Sequence, residues 1–335
     1  GAAGGAGCCR AVRGAAMRVR RNFGQRTRVL DTDEAVRKYF LVFEGAETEV
    51  QYFTGVNHYR ASIGIHPLVE LRPLLRSYTE RGWSNPKKIL NRLMEYVDES
   101  RTGKMSVDSL AAKVVDCLLE DGVISGKCVY QADDIYEILL TYFAETFGLG
   151  PCDCITDQEW AAAEVANCLE AEIGMTRAAR RNLSQYLKNQ NITYEEGFDK
   201  ICLIVDRDKE SFVSRPENDQ FEYVYETCLA RGYGFYLTNP CFEFWLLMHF
   251  DSVRELNPQL LRDNPKSAKR SYTETELKKR LPGYRKNSIR FEMLKDKIDT
   301  AIRNETYFCE EVRGLKDRIG SNIGLLMAEL KGKFH

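Results

Sequence analysis

Acidic residues directly follow two short apolar runs of this chain. Glu44 comes after residues 39–43, and Asp206 and Asp208 follow a second run at residues 201–205. Such runs are typical of buried parallel strands, and open α/β sheets place their sites at the carboxyl ends of these strands. Carboxylate oxygens are the ligands that Mg²⁺ and Mn²⁺ prefer. The pattern therefore predicts a site for one of these ions, and with it the chemistry of a metal-dependent phosphodiesterase.

The Asp-x-Asp pair has a simpler alternative reading. Asp206 and Asp208 share one face of a continuing strand and could reach a common ion. An isolated pair more often ends a strand in a polar turn, because Asp is a common turn residue. Glu44 at the end of another expected strand favours the shared ion.

Further polar side chains lie near these strand ends in the sequence. Glu47 and Glu49 either reach the ion or only favour a positive helix N-terminus, which contributes about 0.3–1 kcal/mol at exposed positions; Glu47 is the better candidate ligand. Glu243 lies in an apolar helical run, where a carboxylate is costly unless it is paired or metal-bound. We therefore expect Glu243 to be catalytic. His249 is six residues further on and off that helix face, which favours a core histidine over a ligand or base.

A basic, turn-prone stretch covers residues 278–287. Its cations could contact phosphates and its tyrosine could stack on a base, although a solvated basic surface explains the charges equally well. The candidate nucleic-acid-binding residues are Lys278, Lys279, Arg280, Tyr284, Arg285 and Lys286.

Several short motifs occur in a characteristic order and spacing. They are Glu44-Gly45, Glu47-Thr48-Glu49, Tyr52-Phe53, Asp206-Arg207-Asp208 and the run from Asn239 to Phe250. Together they resemble the RloB-like family of Toprim-fold proteins found in prokaryotic defence loci. The resemblance covers residues 38–101 and 200–250 well and the C-terminal segment loosely, and it does not cover residues 103–195.

The resemblance implies roles for individual residues. Glu44 would bind metal or transfer a proton, and Asp206 and Asp208 would bind Mg²⁺ or Mn²⁺. The implied activity is hydrolysis of phosphodiester bonds in DNA or in RNA such as tRNA, by an antiphage or abortive-infection effector. The alternative is a catalytically silent component of a defence complex that binds nucleic acid or nucleotide. Besides nucleic acid, the expected partners are a defence-system ATPase or sensor and a second copy of the chain.

The sequence pattern predicts that alternating strands and helices position these residues. The pattern predicts strands at residues 39–43, 68–74, 201–205 and 233–237, with helices between them. A capping-box pattern opens a helix over residues 48–61, Asn85-Pro86 opens the next, and Asn239 and Pro240 are expected to open the helix that carries Glu243. The predicted fold is a Toprim-like, mostly parallel doubly wound sheet.

Between residues 102 and 195 the pattern is helical only. Helices are expected over residues 110–120, 132–147, 157–173 and 176–187. Cys152-Asp153-Cys154 lacks a second Cys or His pair at ligand spacing, which favours a packed helical module over a zinc knuckle. Helices near residues 291–303 and 310–330 are expected in the C-terminal segment. The predicted segments are 1–37 (leader and basic arm), 38–101 and 196–255 (two halves of the sheet domain), 102–195 (helical insertion) and 256–335 (basic helical segment).

The composition fits a globular protein, since 44% of the 335 residues are apolar. The net charge of −1 conceals cations that crowd residues 18–28 and 266–286, and the first sixteen residues are too poor in large apolar side chains to fold. Eleven scattered cysteines and the lack of a long apolar run predict a cytoplasmic protein outside the membrane.

Overall fold

The computed structural model of the chain describes residues 35–45, 47–74, 85–124, 132–189, 194–207, 212, 214–215, 218–267 and 269–332. The predictions for the leader and basic arm, up to residue 34, lie outside these ranges. So does the prediction for Asp208.

The described residues form eleven strands and twelve α-helices, joined in places by short 3₁₀ turns. The strands are β1 (Arg37–Phe43), β2 (Val69–Leu74), β3 (Met105–Ser106), β4 (Cys154–Ile155), β5 (Lys200–Asp206), β6 (Ser214–Arg215), β7 (Asn218–Asp219), β8 (Gly234–Asn239), β9 (Lys266–Ser267), β10 (Arg270–Ser271) and β11 (Gly320–Ser321). The helices are α1 (Thr48–His58), α2 (Pro86–Thr102), α3 (Val107–Glu120), α4 (Ala132–Phe147), α5 (Gln158–Ile173), α6 (Arg177–Asn189), α7 (Gln220–Arg231), α8 (Phe242–Leu247), α9 (Pro258–Asp263), α10 (Tyr272–Arg280), α11 (Ile298–Glu305) and α12 (Ile323–Leu330).

A five-stranded sheet in the order β11-β8-β5-β1-β2 forms the centre of the protein. The four longer strands run parallel, and β11 pairs with β8 in the antiparallel direction. The predicted α/β fold with a mostly parallel sheet is confirmed. Because β1 and β5 are neighbours with Phe43 opposite Ile204, the acidic residues that follow them meet at one edge of the sheet.

Both faces of the sheet are buried, which explains the continuous apolar runs in its strands. In β1, Leu41 and Phe43 pack into the larger core with α8, α11 and α12, while Phe40 and Val42 pack on the other side against α2 and α7. Successive side chains of a strand point to opposite faces. A run without polar residues is therefore what a strand between two helical layers needs.

Helix α2 begins where the sequence predicts. The Asn85 side chain accepts a hydrogen bond from the Lys88 N–H group, Pro86 occupies the first turn, and Gly103 ends the helix with a positive φ of 69°. Each feature satisfies or removes a backbone group that the helix end leaves unpaired. Helix α1 ends at His58, three residues before the predicted boundary.

The helix that carries Glu243 begins later than predicted. Asn239 is the last residue of β8, and its Nδ2 atom donates to the Leu315 carbonyl oxygen at 2.8 Å. The Asn239–Pro240 peptide bond is cis, and α8 starts at Phe242. The prediction of Asn239 as an N-cap is wrong because pairing with β11 keeps this residue extended. Glu243 lies in the first turn of α8.

The C-terminal segment completes the sheet and the larger core. Only parts of the two predicted helices form, as α11 and α12, and β11 lies between them. Apolar residues of α11 and α12 pack in the same cluster as those of β1, α1 and α8. The segment is therefore part of the sheet domain rather than a separate helical unit.

The insertion contains the four predicted helices, α3 to α6, and has a hydrophobic core of its own between residues 105 and 187. The prediction of a wholly helical pattern is wrong in one detail, because Met105 and Ser106 pair with Ile155 and Cys154 in the short β3–β4 ladder. Two-residue strands leave no periodic signal.

In the part of the chain that the structure describes, no helix is both long and apolar enough to cross a membrane. The eight cysteines in that part are free thiols.

Candidate functional site

Glu44 and Asp206 meet at the carboxyl edge of the sheet. The Asp206 N–H group donates to Glu44 Oε2 at 2.9 Å, and the Glu44 N–H group donates to the Ile204 carbonyl oxygen at 3.0 Å. Both carboxylates are half-buried. The second bond continues the β1–β5 ladder by one residue, so the strand pairing fixes where Glu44 stands. The structure thus brings together two of the predicted metal ligands, Glu44 and Asp206, through the Asp206 backbone, and Asp208 lies outside the described residues.

Glu49 is more closely tied to this edge than Glu47. The Glu49 side chain is only 5% exposed, and its Oε1 accepts the Gly45 N–H group at 3.2 Å. Burial raises the pKa of Glu49, and the negative charge of Glu243 raises it further. Glu47 precedes α1, is exposed, and makes no capping hydrogen bond with its side chain. The structure therefore places Glu49, rather than Glu47, in contact with the turn after Glu44.

Gly45 permits this close approach. A Cβ atom at residue 45 would stand 2.2 Å from Glu49 Oε2, which is far inside van der Waals contact. Any larger residue would have to displace the buried carboxylate that holds the turn after Glu44. The Glu-Gly pair in the sequence thus serves a local packing need.

Glu243 lies among apolar side chains in the first turn of α8 and is 4% exposed. Its Oε1 accepts the Tyr284 hydroxyl at 3.0 Å and lies 3.7 Å from Lys286 Nζ. The expectation that this buried carboxylate needs partners is met by a phenol and an ammonium group. The Lys286 carbonyl oxygen accepts the hydroxyl of Thr48, the neighbour of Glu49, at 3.4 Å.

Lys286 stands at the tip of a tight turn that is fixed to α1. Arg285 and Ser288 exchange two backbone hydrogen bonds across the turn, of 3.2 and 2.9 Å. The Gln51 side chain donates to the Asn287 carbonyl oxygen and accepts a hydrogen bond from the Ile289 N–H group. Helix α1 therefore positions the turn beside the acidic edge.

The ammonium group of Lys286 faces several acids. It lies 3.6 Å from Glu274 Oε1 as well as 3.7 Å from Glu243, while the side chain stays 58% exposed. The negative charge of Glu243 raises the pKa of Lys286, and Glu274, Cys241 and Asp206 add to the effect. Lys286 is thus a cation at the mouth of an acidic cluster.

The structure corrects the base-stacking prediction for Tyr284. The residue is 2% exposed and packs in the larger core, so its ring faces no solvent on which a base could stack. Burial raises the pKa of its hydroxyl. A tyrosine in a basic, polar stretch looks exposed in the sequence, and only tertiary packing reveals that it supports Glu243.

The other basic candidates differ in their ion pairs and in their exposure to solvent. Arg280 and Lys279 pair with Glu276 on their own helix, at 2.7 and 2.5 Å. Lys278 is half-buried, and Arg285 is exposed. Lys279, Arg285 and Lys286 are the candidates whose side chains are exposed, and Lys286 contacts the acidic edge through Glu243.

His249 is a core histidine, as expected. It is buried, with its ring nitrogens 3.2 Å from the Tyr52 hydroxyl and 3.2 Å from the Trp245 carbonyl oxygen. Burial lowers its pKa to about 4, so the ring is neutral at pH 7.

Cys241 is a site residue that sequence reasoning missed. Its Sγ atom lies 3.2 Å from Thr273 Oγ1 and 3.6 Å from Asn264 Nδ2. Burial raises the pKa of this thiol, and the charges of Glu243 and Asp206 raise it further. Cys241 therefore sits between the strand end and α8. Its position between Pro240 and Glu243 in the chain was the available signal.

The donor atoms at this edge suit a hard cation, because Glu44 and Asp206 offer carboxylate oxygens. Within the described ranges, however, no three His, Cys, Asp or Glu side chains are grouped in a way that could hold a metal ion. Of the predicted ligands, Glu44 and Asp206 fit in their chemistry, and Asp208 would have to complete the set.

The mostly parallel sheet, with acidic side chains at the carboxyl ends of adjacent strands, defines an α/β protein with an acidic edge site. A scan against protein-family models matches the model described as RloB-like protein over residues 154–330, more than half of the chain. The chain therefore belongs to the RloB-like family, which confirms the resemblance found in the sequence.

The matched range differs from the one on which the motifs suggested the resemblance. It includes Asp206, Glu243 and Lys286, part of the insertion and most of the C-terminal segment, but it begins after Glu44. A comparison with curated proteins found no match, and a comparison with solved structures found none either.

Proposed function

We propose that this RloB-like protein is a Toprim-type nuclease that hydrolyses phosphodiester bonds in nucleic acid with the help of Mg²⁺ or Mn²⁺. The observation that carries the proposal is the hydrogen bond between the Asp206 N–H group and Glu44 Oε2 at the ends of adjacent parallel strands. Acidic groups gathered at this edge of an open α/β sheet are positioned for catalysis.

Each residue has a distinct part in the proposal. Glu44, oriented by the Asp206 backbone, accepts a proton from the attacking water or binds the cation. Asp206 and Asp208 hold the cation, which would neutralise charge on the transferring phosphoryl group. Glu243 anchors Lys286 through its charge, and Lys286 offers its exposed ammonium to a substrate phosphate. The role in antiphage defence or abortive infection rests on the family alone.

The test is cleavage of labelled DNA and total RNA with Mg²⁺, Mn²⁺ or EDTA. Asp206→Asn and Glu44→Gln should each reduce cleavage by about 10²-fold or more, the scale on which positioned acid–base groups contribute. Thermal melting should change little, because both side chains are half-buried and lie at strand ends. Exposed Asp317→Asn and Glu255→Gln are matched controls that should cleave normally. Undiminished cleavage by both site variants would sink the proposal.

Lys286 also supports a second candidate function. Its ammonium 3.7 Å from Glu243 already supplies positive charge to the acidic cluster. A site neutralised in this way suits a catalytically silent component of a defence complex that binds nucleic acid or nucleotide. Tight nucleic-acid binding without cleavage under any divalent cation would favour this candidate.

A further inference from the structure

A short β-hairpin, formed by β9 and β10, extends beside the acidic edge. It precedes α10 and carries three exposed cations, Lys266, Lys269 and Arg270. In the hairpin register Lys266 lies opposite Ser271 and Arg270 lies opposite Ser267. Two of the cations therefore project on opposite faces of the hairpin, with Lys269 at the turn between them.

The base of the hairpin is fixed to the candidate site. Asn264, just before β9, accepts both the Thr273 N–H group at 3.0 Å and the Thr273 hydroxyl at 3.1 Å. The Asn264 and Thr273 side chains contact Cys241 Sγ at 3.6 and 3.2 Å. Since Cys241 lies between the end of β8 and the start of α8, which carries Glu243, these bonds attach the hairpin to the acidic edge.

The hairpin cations differ from several other cations on the sheet domain. Lys200, Lys316 and Arg280 pair with carboxylates at 2.5 to 2.7 Å. By contrast, Lys266, Lys269 and Arg270 form no ion pair with any described acidic side chain. Three cations on one small hairpin repel one another, and a bound polyanion would relieve that repulsion.

The turn that carries Lys286 lies close to the hairpin. Glu274, in the first turn of α10 directly after the hairpin, lies 3.6 Å from Lys286 Nζ. Lys286, at the mouth of the acidic cluster, and the hairpin cations therefore lie on either side of the start of α10. A polyanion that follows them would pass the acidic edge.

We propose that the β9–β10 hairpin binds the phosphate backbone of the nucleic-acid strand next to the candidate site, through Lys266, Lys269 and Arg270. The proposal rests on the proposed function only in taking nucleic acid as the substrate. Contacts of this kind position a strand without reading its sequence. The hairpin supplies affinity and orientation, while the acidic edge supplies the chemistry.

The experiment measures binding of labelled single-stranded and duplex DNA and of single-stranded RNA in EDTA, across a range of salt concentrations. Each phosphate contact contributes about 0.9 to the slope of log K against log salt for duplex DNA and about 0.7 for single strands. The triple variant Lys266→Gln, Lys269→Gln, Arg270→Gln should lower that slope by about 2–3 and weaken binding at least tenfold at low salt. The charge-conserving variant Lys266→Arg, Lys269→Arg, Arg270→Lys should retain both.

The matched control removes three exposed cations of the sheet domain, with Arg101→Gln, Arg231→Gln and Arg303→Gln. It changes the net charge equally and should leave the slope unchanged. An unchanged slope in the hairpin variant, an equal loss in the control, or no binding by the wild type in EDTA would overturn the proposal. Normal salt-dependent binding in EDTA, with no cleavage of the same nucleic acids when Mg²⁺ or Mn²⁺ is added, would instead contradict the nuclease function and leave the hairpin assignment intact.

Discussion

Glu305 is a buried carboxyl group outside the candidate site. It lies at the end of α11, and its Oε2 accepts the Gly324 N–H group at 2.7 Å, close to the start of α12. Burial raises its pKa to about 8, and the charge of Glu310 adds to the effect. The protonated form is therefore the one that the folded protein favours near neutral pH.

The raised pKa of Glu305 predicts how stability depends on pH. Between the ordinary value of 4.5 and about 8, the unfolded chain loses this proton while the folded protein keeps it. Stability should therefore fall as pH rises through that window. Glu305→Gln should reduce the fall by up to about 5 kcal/mol, because one unit of pKa shift corresponds to about 1.4 kcal/mol. Urea unfolding at several pH values measures the free energy of unfolding and its dependence on pH. Exposed Glu255→Gln should behave as wild type, and parallel curves for all three proteins would contradict the assignment.

At the residue scale, the sequence predicted the site residues but not the side-chain contacts that support them. Glu44 and Asp206 were predictable because an apolar run followed by an acid marks a strand end. The roles of Glu49 and Tyr284 were not, because they depend on which way each side chain turns. The Glu49 side chain accepts the Gly45 N–H group, and the Tyr284 side chain is buried in the core, where it donates to Glu243.

At the element scale, Asn322 extends the shortest strand of the central sheet. Its N–H group donates to the Leu237 carbonyl oxygen at 3.2 Å. Its side-chain Oδ1 accepts the Leu237 N–H group at 2.6 Å, and its Nδ2 donates to the Phe235 carbonyl oxygen at 2.9 Å. One buried side chain thus continues the hydrogen bonding that β11 begins along β8.

Asn322→Ala should destabilise the protein by roughly 2–4 kcal/mol. The change leaves two buried backbone groups of β8 without partners, and each such group costs about 1–3 kcal/mol. Urea unfolding measures the loss. Leu325→Ala, on the exposed side of α12, is the control and should cost little. If the two variants were equally stable, the Asn322 side chain would not support the sheet.

Some helices and strands have boundaries that local sequence signals predict. Others have boundaries that depend on pairing with a distant strand. The start of helix α2 and the bounds of strands β1 and β5 were predicted to within two residues, because caps and apolar runs mark them. Strand β11 and the strand end at Asn239 were missed. Two residues carry no periodicity, and a polar side chain such as Asn322 acquires its role only beside β8.

At the scale of the whole molecule, the two helical segments outside the central strands relate to the core in different ways. The insertion packs mainly on itself, and α2 meets α3 through contacts such as the hydrogen bond between Ser109 and Glu99. The end of the C-terminal segment, in contrast, contributes β11 to the sheet and α12 to the larger core. One segment should therefore be removable and the other should not.

Replacing residues 104–193 with a Gly-Ser linker should preserve cooperative melting of the sheet domain and its metal binding, because the insertion takes its own core with it. Selectivity for a substrate or partner, or self-association, should be lost. Ending the chain after Thr306 should abolish cooperative melting, because it exposes the β8 edge and the apolar face covered by α12. Circular dichroism melting and size-exclusion chromatography of both variants test this contrast. A linker variant that fails to melt cooperatively would show that the insertion completes the core, and a stable truncated protein would show that the C-terminal segment does not.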